Sequence, residues 1–173
     1  RDSILITGVK RDIDLLKQVP VVGNSKVSEK TITVLDVSME KNADALQAQL
    51  NDGAEVFYAD HHRSGEIPKH KNLDAHIDLD ANTCTALIVD KLLNGEKHHW
   101  AIAAAYGDNL ISVADSLAKT AGLSEQQARQ LKELGVLINY NGYGESLDDL
   151  HFEPANLYNK LVQYPSPFEC IND

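Results

Sequence analysis

The chain has 173 residues, 43% of them hydrophobic, which suits one domain with an ordinary core. Its 26 Asp and Glu against 16 Lys and Arg give a net charge of −10, which repels a phosphate backbone at long range and argues against general nucleic-acid coating. No apolar run reaches the roughly 18 residues of a membrane helix, and no leader-like stretch opens the chain, so no membrane association and a cytoplasmic location are expected. Cys84 and Cys170 form no metal-spacing motif and read as free thiols, Cys84 as a small core residue.

In chain order, "SILITG" (residues 3–8) reads as a strand, and "KRDIDLLKQV" follows with apolar residues at Ile13, Leu15, Leu16 and Val19, a helical spacing. "TITVLDVS" (31–38) is a β-branched apolar run expected to be a strand buried on both faces. "EKNADALQAQLNDGA" reads as an amphipathic helix stopped at Gly53, and "AEVFYAD" as a third strand. This alternation predicts an α/β fold: a parallel sheet with flanking helices. Beyond Gly65 the chain turns polar, with a short strand expected at "AHID". A helical second half follows. "TCTALIVDKLLNG" is expected to be capped by Thr83 or Asn82 and ended at Asn94-Gly95. "HWAIAAAYGDNLISVADSLAKTAGL" is expected to break at Gly107. "SEQQARQLKELGVLINYNG" opens with a capping-box pattern, Ser124 and Gln127. One more helix is expected in the tail, before the two prolines of "YPSP".

Ligand sites in open parallel sheets lie at the carboxyl ends of the strands. One strand runs out at Asp36 and another at Asp60, His61 and His62, while Asp108 stands in an Ala-rich apolar stretch. A core strand gains nothing from such residues, since buried ionisable groups cost free energy unless paired or metal-bound. Together the acids and histidines suit hard or borderline divalent metals such as Mn²⁺, Fe²⁺, Zn²⁺ or Mg²⁺. Each residue alone also has a plainer reading. Asp36 caps the following helix, His61 and His62 decorate a surface turn, and Asp108 caps a helix at "GDNLIS". His98 and His99 read as a surface helix start.

Taken jointly, "LDVS", "ADHHRSGEIP", "TCTALIVDKLL" and "AAAYGDNL" resemble the second to fourth motifs of the DHH phosphoesterase superfamily, most closely a bacterial branch labelled exopolyphosphatase-related. The "LITGVKRD" and "NYNGYG" stretches also look like that branch, so the likeness covers most of the chain. The resemblance implies a metal-dependent hydrolase of a small phosphorylated or nucleotide substrate. It casts Asp36, His61 and Asp108 as metal ligands, and His62 as a catalytic residue beside the substrate phosphate. Asp60 supports the site from behind. Two Mn²⁺ (or Mg²⁺ or other divalent) ions are implied, a geometry suited to in-line displacement at phosphorus. The helix beginning near Thr83 and Thr85 would aim its amides and these hydroxyls at the substrate anion.

The family's first motif, a D-x-D-G pattern on its first strand, has no counterpart here. Asp12 and Asp14 share the spacing but sit in a helical pattern at neighbouring positions, so they are left unassigned. Residues 1–173 are therefore expected to be a DHH-type domain without its N-terminal strand and first motif, and without the C-terminal substrate domain. By itself such a piece is expected to be inactive or nearly so. Two rival readings stand beside this one: a degenerate DHH domain that binds a nucleotide or protein partner without hydrolysis, and an HD-type metallohydrolase with its ligands on helices.

Overall fold

The computed structural model describes residues 3–21 and 30–173. The fold is mixed α/β, with a three-stranded parallel sheet and seven α-helices among the described residues. No helix there is long and apolar enough to cross a membrane. The chain divides into two compact units, one of residues 12–81 and one of residues 3–11 with 82–173.

The first unit carries the sheet. Strand β1 (Thr31–Leu35) pairs in parallel with β2 (Glu55–Asp60), which pairs in parallel with β3 (Leu73–Ile77). Helix α1 (Ala43–Asn51) makes the first crossover and ends where Gly53 takes a left-handed turn, φ 89°. Residues 61–72 make the second crossover without a helix. Leu46 and Leu50 of α1 pack with Val34, Val56 and Tyr58 to form this unit's core.

Three expectations change here. Residues 3–8 form no strand: a strand needs a ladder partner, the segment has none among the described residues, and Ile4 is exposed. The helical pattern of residues 10–19 yields only a 3₁₀ turn at Leu15–Gln18. Its polar groups are captured from outside. The buried Asn42 amide donates to the Ile13 carbonyl and accepts from the Leu16 N–H, and Gln49 donates to the Val19 carbonyl. β1 is not buried on both faces. Among the described residues it is an edge strand, with Val34 buried and Thr31, Thr33 and Leu35, which share one face, exposed.

The second unit is helical. Helices α2 (Thr85–Leu92), α3 (His98–Gly107), α4 (Ile111–Thr120) and α5 (Glu125–Tyr140) surround a core of Leu87, Ile102, Tyr106, Ala114, Ala118 and Leu131. The expected break falls between α3 and α4, and Ser124 and Gln127 form the capping box of α5. Gly135 lets α5 approach α3: a Cβ built there would lie 1.9 Å from the Ala103 carbonyl oxygen. The N-cap of α2 is Cys84, not Thr83 or Asn82, while Asn94 and Gly95 turn left-handed after its end as expected. The tail holds α6 (Pro154–Leu161) and one helix more than expected, α7 (Pro167–Asn172). That extra helix starts on a proline, which suits a first turn because its missing N–H would go unbonded there anyway.

Candidate metal centre

The parallel register brings Leu35, the last residue of β1, beside Ala59. Asp36 follows on β1, and its N–H extends the ladder to the Ala59 carbonyl at 3.1 Å. Asp60 closes β2 and His61 and His62 follow, so all four residues emerge at the same edge of the sheet. One ligand atom from each of Asp36, His61 and His62 lies within 4.8 Å of the others. His61 Nε2 stands 3.4 Å from Asp36 Oδ1, and the two imidazoles meet edge to face at 4.4 Å between centroids.

Asp36 sits at φ 61°, the left-handed region. A non-glycine there costs on the order of 1–2 kcal/mol, and Asp is among the few residues that tolerate it. The surrounding loops hold it in place. Tyr58, buried, donates to the Val37 carbonyl at 2.7 Å. Its phenol is pushed well above the usual range, first by burial and then by the charge of Asp60, so it remains a donor. The Arg63 carbonyl accepts from Ser38 Oγ and from the Glu40 N–H, stitching the loop after β1 to the loop after β2.

Asp60 is fully buried, and its Oδ1 lies 2.7 Å from His62 Nδ1. A carboxylate only accepts, so Nδ1 carries the proton and His62 presents Nε2 as a base. Carboxylate–histidine pairing of this kind is how proteins orient imidazole ligands on metals. Asp60 Oδ2 has no hydrogen-bond partner among the described residues, an unusual state for a buried carboxylate oxygen. One carboxylate and two imidazoles suit Mn²⁺, Fe²⁺ or Zn²⁺. The geometry thus groups His62 with the ligand atoms, whereas the resemblance casts it as a substrate contact.

The remaining candidates lie in the helical unit. Thr83 and Thr85 flank the N-cap of α2 and are buried. Asp108 is the C-cap of α3, not the N-cap of α4, which is Leu110. His98 does not merely start a helix on the surface: its Nδ1 lies 2.6 Å from the buried Asp90. Asp14 is exposed and pairs with Lys17 at 3.0 Å. Asp78, just past β3, donates its N–H to the Asp60 carbonyl, so a third strand also ends in an acid at this edge. The only sequence signal for it is the D-x-D of "IDLD", masked by a short strand with polar flanks. Compared with known proteins, the chain matches no family profile, no curated sequence and no solved structure.

Proposed function

We propose that this chain is the metal-binding part of a DHH-type, divalent-metal-dependent phosphoesterase acting on a small phosphorylated or nucleotide substrate. The observation that carries the reading is the triad of Asp36, His61 and His62 at the ends of neighbouring parallel strands, with buried Asp60 behind His62. Strand-end ligands also speak against the HD-type alternative, whose ligands lie on helices.

Asp36, His61 and His62 Nε2 would hold Mn²⁺ or a similar ion, and the resemblance names Asp108 as a further ligand. A bound divalent ion supplies Lewis-acid activation of water and of phosphoryl oxygens. Asp60 holds the proton on His62 Nδ1 and fixes the ring's tautomer. The φ of Asp36 and the Arg63 stitches hold the carboxylate ready before any ligand arrives.

The test is a titration of the metal-free protein with Mn²⁺, followed by phosphodiesterase and pyrophosphatase assays. Stoichiometric binding that disappears in His61→Ala and Asp36→Asn is the expected result. No Mn²⁺, Fe²⁺ or Zn²⁺ binding would overturn the reading. The triad alone offers ligands for one ion, which favours the non-catalytic alternative if binding occurs without turnover in a protein that also carries a D-x-D-G segment.

A further inference from the structure

The "NYNGYG" block ends α5 and has no part in the triad. Its organisation centres on one ammonium group. The Lys10 N–H donates to the Gly142 carbonyl at 2.8 Å, and the neighbouring Val9 is buried, so the backbone of Lys10 is anchored to this turn. Lys10 Nζ donates to Asn139 Oδ1 at 2.6 Å and lies 4.9 Å from the centre of the Tyr143 ring. Asn141, buried, brackets the Phe152 backbone with bonds of 2.8 and 2.9 Å and fixes the turn from the other side.

Lys10 is held entirely by uncharged groups. Among the described residues no carboxylate lies within ion-pair distance of its ammonium. A cation held by neutral partners retains its charge for an incoming anion. The Tyr143 phenol is held below its usual range, first by hydrogen bonding from Lys10 and then from Asn139, while the charge of Asp108 acts the other way. The phenol therefore lies within electrostatic reach of Asp108.

We propose that Lys10, Asn139 and Tyr143 form an anion-recognition site for phosphate; the choice of phosphate as ligand rests on the phosphoesterase reading. Lys10 supplies the charge, Asn139 aims it and the Tyr143 hydroxyl supplies a neutral donor. An ammonium–phosphate hydrogen bond is charge-assisted and about twice as strong as a neutral one.

The probe is inorganic phosphate, titrated by calorimetry into the protein in EDTA at constant ionic strength, with Mn²⁺ titrated separately. Lys10→Met is expected to weaken phosphate binding about tenfold. Asn139→Asp is expected to do the same while keeping the lysine, because it gives the ammonium an anionic partner. Lys10→Arg should retain most of the affinity, and circular dichroism should show each variant folded. Unchanged phosphate affinity in both Lys10→Met and Asn139→Asp, or no phosphate binding by the parent protein, overturns the site. If either occurs while Mn²⁺ still binds the triad, the metal reading survives. If Mn²⁺ does not bind but phosphate binding depends on Lys10, the anion site stands and the phosphoesterase reading falls.

Discussion

His62 Nδ1 lies 2.7 Å from Oδ1 of Asp60, a carboxylate with no exposed surface. The pair spans two residues at the end of one strand, so β2 positions both the imidazole and the group that sets its tautomer. Asp60→Asn keeps the shape but allows the amide to donate, which removes the preference for a proton on Nδ1. Metal affinity is expected to fall about tenfold to a hundredfold, as for other lost outer partners of histidine ligands. Calorimetric Mn²⁺ titration of the variant is the measurement, and an unchanged affinity would show that Asp60 has no positioning role. In the parent protein, Mn²⁺ at a hundred times its Kd should raise stability by about 2.7 kcal/mol through mass action.

Asp108 at the C-cap of α3 makes a sharper test than an N-cap would. Asp108→Asn removes a negative charge from the negative end of the helix dipole. The dipole contribution by itself favours the metal-free variant by about 0.3–1 kcal/mol. Mn²⁺ affinity should fall if the carboxylate is a ligand. Thermal unfolding in EDTA and in Mn²⁺ separates the two effects, and normal Mn²⁺ affinity in the variant ends the ligand assignment.

Gly135 has no room for a side chain. A Cβ there would meet the Ala103 carbonyl oxygen at 1.9 Å, and backbone cannot swing aside as a flexible side chain does. Alanine favours a helix over glycine by about 1 kcal/mol, but this clash separates α5 from α3. Gly135→Ala is expected to lose about 1–3 kcal/mol net, read as a lower urea midpoint. A gain in stability would mean that the two helices do not pack as described.

Tyr106 is buried and its hydroxyl donates to Asp115 at 2.7 Å. Burial first, then this bond and the charge of Asp115, push its pKa up from 10.0 to about 12. The folded state thus keeps a proton that the unfolded state loses earlier. The associated stability is fully present below pH 10 and is lost as pH rises towards 12. The difference between parent and Tyr106→Phe in 295 nm titrations should show one phenol ionising near pH 12. The variant should also lose less stability across that interval.

Much of this molecule was legible in local sequence. β2, α1, the break between α3 and α4, and the Ser124 capping box each follow from periodicity or cap chemistry within a few residues. So does the placement of Asp36 and the Asp60–His62 run at strand ends, because an apolar run marks its own end. Tertiary context decided what needs a distant partner. "SILITG" has strand chemistry but no ladder partner, and residues 10–19 have helical spacing but lose their carbonyls to Asn42 and Gln49. β1 reads as a buried run yet leaves the face of Thr31, Thr33 and Leu35 exposed, since burial depends on what packs against each face. The tautomer of His62, the left-handed φ of Asp36 and the clasp between Lys10 and "NYNGYG" are likewise invisible in sequence. The first is set by the buried Asp60, the second comes from loops pinned by Tyr58 and Arg63, and the third joins residues 129 positions apart. Local propensity can specify the end of a strand, but only packing brings together groups that far apart and thereby sets their charge, tautomer and access to a ligand.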